Sequence, residues 1–201
     1  MCEFRHHGPL VARTFLRRGR PRCAIAIACA LKVSMRRLLS SASARPRVLV
    51  TGAGRGIGQA TALQFANVGY AVIALDKCFK ACTLPKTDGF ERVEYDLRDI
   101  KGIRDLCASL GSIDTLVNNA GVLHCPPTDR MRDVGLGFTD DQSNEILTVN
   151  LRAPIALVEA LAPQMIARAE AQNGIGGRIV NIASVSAFTG HPDLFCTCAR
   201  L

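Results

Sequence analysis

Acidic residues are nearly missing from the start of this chain: one, Glu3, stands among the first 47 residues against eleven Lys and Arg. Residues 1–47 therefore carry +10, and the remaining residues, with fourteen bases and sixteen acids, carry −2. The overall +8 belongs to the leader and not to the rest of the chain, which removes most of what a pI near 9.3 would suggest about nucleic acid. Also missing is any C-x-x-C pair. The nine cysteines, at 2, 23, 29, 78, 82, 107, 125, 196 and 198, are odd in number and form no zinc pattern, so no metal site is expected and the thiols read as reduced. No apolar run is long enough to cross a bilayer. The run Ala24–Leu31 has eight residues, well short of the roughly 20 that a span needs. No internal repeat is present, and 201 residues suffice for one core.

The leader, residues 1–45, is Arg-rich, contains Ser and Ala, and has the composition of a transit peptide, so no packed structure is expected there. Met35-Arg-Arg-Leu-Leu-Ser-Ser-Ala-Ser-Ala44 would serve as a compact presequence by itself. This reading places the protein in the mitochondrial matrix. Two alternatives stay open: a start at Met35 with a cytoplasmic protein, and a secretory signal built on Ala24–Leu31, which Lys32 and Arg36-Arg37 interrupt.

From residue 46 to 201, apolar segments alternate as a parallel α/β sheet requires. Strands are expected at 47–51, 70–75, 90–95, 113–117 and 178–183. Helices are expected at 57–68, with Ile57, Ala60, Phe65 and Val68 near one face, at 100–110, and at about 140–170. Gly69 is a plausible stop for the first helix, and Thr139 with Gln142 forms a capping box for the last. Right-handed crossovers then give the doubly wound order 3-2-1-4-5.

The most informative segment is Thr51-Gly52-Ala53-Gly54-Arg55-Gly56-Ile57-Gly58, directly after the strand Val48-Leu49-Val50. A strand that ends in a glycine turn and opens a helix brings backbone N–H groups and a positive dipole end to a pyrophosphate. The fingerprint G-x-G-x-x-G fails, since its third glycine would fall on Ile57; T-G-x-x-x-G-x-G fits, with Gly52, Gly56 and Gly58. That spacing resembles the short-chain dehydrogenase/reductase family, which binds NAD or NADP. Asp76 at the end of the second strand can accept both ribose hydroxyls of the adenosine and repels a 2′-phosphate, which favours NAD over NADP; Arg55 and Lys77 pull the other way.

The resemblance implies further roles. Asp96-Leu97 takes the place of the pair that lines the adenine pocket. Asn118-Asn119-Ala120-Gly121 matches the family's N-N-A-G, whose amides brace the sheet and whose small residues admit the nicotinamide ribose. Asn150 matches the catalytic Asn. Pro154, four residues on, has no N–H for its carbonyl, so a locally opened helix there can hold a relay water. Ser184, with Ser186 as the neighbouring alternative, matches the Ser that hydrogen-bonds the substrate oxygen.

The pattern then breaks. Twelve or thirteen residues beyond that Ser the family has Tyr-x-x-x-Lys, and here the chain reads Phe195-Cys196-Thr197-Cys198-Ala199-Arg200-Leu201. Cys196 and Arg200 stand nearest the two positions, and the tyrosines, Tyr70 and Tyr95, lie far upstream. The resemblance covers residues 46–195 and leaves out the family's last helix and its sixth and seventh strands. The sheet is thus expected to be truncated, with an exposed fifth-strand edge. It implies NAD-linked hydride transfer between a small-molecule alcohol and a ketone, impaired in this chain. The alternatives are a non-catalytic dinucleotide-binding or interaction protein and an unstable, truncated or frame-shifted product. The family's usual homo-oligomer is also implied, against which the missing C-terminal elements count.

Overall fold

The computed structural model describes residues 45–80, 84, 89–124, 139–171 and 176–184. The expectations for the leader, Ser186, Cys196 and Arg200 fall outside the described residues. Five strands, β1 (Arg47–Thr51), β2 (Ala71–Asp76), β3 (Phe90–Glu94), β4 (Thr115–Asn118) and β5 (Arg178–Asn181), form one parallel sheet in the order β3-β2-β1-β4-β5. Its register aligns Val50 with Ala74 and Val117, and Val117 with Val180. The expected order is thus the observed one.

The central strands are apolar at nearly every position because both of their faces are covered. Alternate residues of β1 serve opposite cores. Leu49, with Ile73, Leu75 and Leu116, packs towards α2 (Ile103–Leu110) and α4 (Ala153–Ala171). Val48 and Val50, with Val72, Ala74 and Val117, pack towards Ala62 and Phe65 of α1 (Gly56–Asn67). On α1 the expected inner face is corrected in part. Phe65 is buried, but Ile57 is 54% exposed, and Gly58 and Ala62 take the inward positions. The glycine turn is the reason: the first turn of the helix lies beyond the end of the sheet, where only a residue without a side chain fits inward. Gly69 ends α1 as expected, at φ 93°, its N–H donating to Ala66 O at 2.9 Å.

Towards the C-terminal side, α3 (Asp140–Leu147) opens with the expected capping box. The Gln142 N–H donates to Thr139 Oγ1 at 3.2 Å, and the Thr139 N–H donates to Gln142 Oε1 at 3.0 Å. Such a cap contributes about 1 kcal/mol. A π-helical turn, Thr148–Arg152, leads without interruption into α4. The continuous helix Asp140–Ala171 is long and apolar enough to cross a membrane by length and composition. One face of it packs on the sheet, with Ala153, Leu157, Leu161 and Met165 buried, while Ile155 and Ile166 are exposed. Helix α2 starts three residues later than its periodicity suggests. Asp99 and Gly102 first make a turn, with the Gly102 N–H on Asp99 Oδ1 at 3.2 Å.

The N-terminal edge of the sheet is tied by polar groups. Asp114 accepts the Arg47 N–H at 2.6 Å and pairs with Arg168 of α4, while Gln164 accepts the Ile113 N–H at 3.2 Å. The opposite edge, at the strand C-termini, is left for chemistry.

Candidate cofactor and active site

In a doubly wound sheet the crevice opens where neighbouring crossovers leave in opposite directions, here between β1 and β4. The glycine turn after β1 sits at that point, and its glycines answer separate demands. Gly52 and Gly56 have φ of 65° and 56°, in the left-handed region. Gly58 has no room: a Cβ there would stand 2.1 Å from Gly52 O and 2.4 Å from Asn119 Nδ2. At Gly54 a Cβ would meet Cys78 O at 2.7 Å and the Asp76 carboxylate at 2.9 Å. Around Gly56, by contrast, no atom of the described residues lies within 4 Å of a Cβ. The turn is tight beneath and open above the first turn of α1, which suits a phosphate-bearing ligand approaching backbone N–H groups.

The turn that follows β4 is stitched onto the glycine turn. Thr51 Oγ1 accepts the N–H groups of Asn119 and Ala120, each at 3.0 Å, and donates to Val117 O at 3.3 Å. Asn119 Nδ2 donates to Thr51 O at 2.9 Å and Gly52 O at 3.2 Å. Asp76 closes the other flank, its Oδ2 taking the Gly54 N–H at 2.8 Å and its Oδ1 the Cys78 N–H at 3.2 Å. Gly52 through Gly58, Asp76 and the Asn119-Ala120-Gly121 turn are therefore one assembly. The residues fit a dinucleotide: a turn of small residues with no room for a Cβ at Gly52, Gly54 or Gly58, and a carboxylate at its lip.

Asn150 lies in the π-helical turn and is buried. The helix opens near Pro154 as expected, and the opening extends upstream: the Ala153 N–H donates to Thr148 O, five residues back. The Asn150 side chain grips the loop after Gly121, accepting the Val122 N–H at 2.8 Å and donating to Val122 O at 2.9 Å. On the β5 side, Asn118 Nδ2 donates to Asn181 Oδ1 at 2.9 Å, and the Ile182 N–H donates to Asn118 O at 2.9 Å. β5 ends at Asn181, two residues short of the expected end, and half-buried Ser184 lies three residues beyond it. A groove between these elements is lined by Asn118, Ala120, Asn150, Pro154, Asn181 and Ile182, and the buried Asn118 Oδ1 has no hydrogen-bond partner among the described residues.

Asp96 belongs to a chain of charges. Arg98 Nε lies 3.0 and 2.9 Å from its two oxygens and holds the carboxyl below its ordinary range. Arg98 also reaches Glu145 of α3 at 3.4 Å, and Glu145 meets His124 Nε2 at 2.8 Å. The Leu97 side chain is buried in the core with Leu75 and Ile103. Thr51, Arg98, His124 and Glu145 were not anticipated as site residues. Thr51 had a signal, as the first letter of the glycine motif. The Glu145–His124 pair had none, because nothing local relates residues 21 apart.

Tyr95 does not stand in for a tyrosine beside Ser184. It follows β3, at the far edge of the sheet from β5, and four strand spacings amount to about 19 Å. Its hydroxyl donates to Asp99 O at 2.6 Å, and burial, followed by the negative charge of Asp99, pushes its pKa up to about 12. Ionisation followed at 295 nm should show a tyrosine titrating near pH 12 that Tyr95→Phe removes. Because the folded pKa exceeds the unfolded value of about 10, the associated stability is intact below pH 10 and is lost as pH rises through 12. A transition near pH 12 that persists in Tyr95→Phe would contradict this placement.

Comparison with known proteins agrees with this geometry. The profile of the short chain dehydrogenase family matches residues 46–198. L-xylulose reductase of Mus musculus is 35% identical over 161 residues, covering 75% of this chain and 59% of the relative. The chain thus spans about three fifths of the length of the curated relatives it matches. Among solved structures, 4-hydroxyisoleucine dehydrogenase complexed with NADH superposes with a TM-score of 0.64 at 29% identity, covering 78% of this chain and 63% of the other. A gluconate 5-dehydrogenase from Burkholderia cenocepacia J2315, in complex with NADP and tartrate, gives 0.63 at 30% identity, covering 77% and 60%.

Proposed function

The chain belongs to the short-chain dehydrogenase/reductase family, and from that premise we propose that it binds a nicotinamide dinucleotide, NAD(H) in preference to NADP(H), for hydride transfer between a small alcohol and its ketone. The observation that carries this reading is the glycine turn stitched to the Asn119 turn, with the Asp76 carboxylate at its lip. Bound there, the nicotinamide ring would give or take the hydride. Residues 52–58 would hold the pyrophosphate, Asp76 the adenosine ribose and Asp96 the adenine edge. Asn119, Ala120 and Gly121 would flank the nicotinamide ribose. A carboxylate at the ribose attracts two hydroxyl donors and repels a 2′-phosphate.

On the substrate side, Ser184 would donate its hydroxyl to the substrate oxygen, and Asn150 would hold the Val122 loop while its opened helix turn gives a relay water room. The relatives that match bind NADH in one structure and NADP in another, so the preference rests on Asp76. Titrating the full chain with NADH and NADPH, by the fluorescence of the reduced ring, tests both statements. NADH is expected to bind at least about tenfold tighter, the scale of one charge-assisted hydrogen bond. Tighter NADPH binding would overturn the preference, and binding of neither would overturn the reading.

A second reading, cofactor binding without turnover, is favoured by one observation: Cys196 and Arg200 stand in the register where the family carries Tyr and Lys.

A further inference from the structure

Conformation does not explain the glycine at position 54. Gly54 is not among the glycines with positive φ, so its backbone would accept any residue. Space is the constraint: a Cβ there would meet Cys78 O at 2.7 Å and Asp76 Cγ and Oδ2 each at 2.9 Å. Of those neighbours, Cys78 O is backbone, and its own N–H is held by Asp76; Ala53, the preceding residue, is pinned by its N–H on Leu75 O at 3.1 Å. A side chain at 54 would press on the Cys78 carbonyl and on the carboxylate alike, and the carboxylate, as a side chain, is the one that can leave its place by rotation.

We propose that Gly54 is a specificity-determining residue for the cofactor, acting by holding the Asp76 carboxylate in place. The proposal rests on the cofactor reading above and extends it to a residue that touches the carboxylate and need not touch the ribose. An ionised carboxylate has about four acceptor sites. In this structure one on Oδ2 is used by the Gly54 N–H and one on Oδ1 by the Cys78 N–H. Among the described residues no other donor meets it, which leaves one site on each oxygen, matching the two hydroxyl donors of an unphosphorylated ribose. The backbone N–H groups thus turn the carboxylate into a fixed two-point acceptor. A methyl group at 54 would break the 2.8 Å bond and swing the carboxylate away, removing both the recognition of the two hydroxyls and the repulsion of a 2′-phosphate.

A double-mutant cycle on the full chain tests this, with Kd for NADH and for NADPH measured on the unaltered chain, Gly54→Ala, Asp76→Ala and the double variant. Gly54→Ala is expected to weaken NADH at least about tenfold more than it weakens NADPH, and to weaken NADH less once Asp76 is Ala. Equal weakening of both cofactors by Gly54→Ala, or additive effects in the cycle, would overturn the proposal. A preference of the unaltered chain for NADPH is a separate result, read from its own two titrations, and overturns the cofactor assignment instead. Hydrogen exchange of the Gly54 amide gives a measurement that needs no change at 54. Asp76→Ala should raise its exchange rate at least about tenfold while that of the Ala53 amide, bonded to Leu75 O, is unchanged. An unchanged rate for Gly54 would overturn the proposal as well.

Discussion

Gly58→Ala is expected to destabilise the domain by about 3 kcal/mol and to abolish measurable dinucleotide binding. Alanine favours a helix interior over glycine by about 1 kcal/mol, so helix propensity alone points to stabilisation. Sterics decide the sign. The new methyl would lie 2.1 Å from Gly52 O and 2.4 Å from Asn119 Nδ2, and neither can give cheaply: one is backbone, and the other already donates to Thr51 O and Gly52 O. Relief requires α1 to move off the end of β1, which separates the two turns that form the cradle. For a chain of this size the loss corresponds to a fall in Tm of about 10 °C. Gly56→Ala is the control. It meets no atom of the described residues within 4 Å and suffers a φ of 56°, a cost of about 1–2 kcal/mol. Equal melting temperatures for the two variants, or NADH binding by Gly58→Ala at unaltered strength, would show that the close approach is not what holds the site.

The second large effect concerns the proton. Reducing a ketone adds a hydride to carbon and a proton to oxygen, so a donor must stand within hydrogen-bond reach of that oxygen. By the resemblance, Cys196 and Arg200, both outside the described residues, stand nearest the positions of the family's Tyr and Lys. A thiol is shorter than a phenol by most of a ring, and a guanidinium cannot act as a tunable amine. We therefore expect the full chain to turn over alcohols or ketones slower by about 10²–10⁴ than an enzyme with a placed general acid. Replacing both residues, Cys196→Tyr with Arg200→Lys, should recover at least about 10²-fold in kcat with little change in the Kd for NADH. Thiol alkylation should abolish whatever turnover the unaltered chain has. Cys107, buried and with its pKa pushed up to about 11, should react slowly, whereas Cys78 is exposed. Rapid turnover that survives both alkylation and Ser184→Ala would place the active site elsewhere.

Strand order, the parallel sheet, the capping box at Thr139 and the stop at Gly69 were all legible in the sequence. Each is written in residues close together: a run of buried apolar side chains, a Thr and Gln three apart, a glycine after an amphipathic turn. The errors are local as well. Ile57 reads as inward by periodicity and is exposed, because period alone does not say that the first turn of α1 overhangs the sheet. Ile100 reads as helical, but the Asp99 carboxylate takes the Gly102 N–H and delays the helix to Ile103. At Asn150 a proline four residues on suggested a local opening, and the structure has it as a π-helical turn that begins at Thr148.

By itself the sequence determined the composition of the candidate site: glycines at 52, 54, 56 and 58, a carboxylate at 76, amides at 118, 119 and 150, and a proposed serine at 184. Those letters restrict which chemistry the chain can perform, because side-chain donors and charges belong to residue types wherever they stand. Only the tertiary structure decided how they act on one another. Asp76 reaches back across 22 residues to the Gly54 N–H, Asn119 across 68 to Thr51 O, and Asn150 across 28 to both polar groups of Val122. Such bonds require carbonyls, N–H groups and carboxylates to meet within about 3 Å. Segments distant in the chain come that close only when the parallel register sets the strand ends side by side and the two cores hold them there.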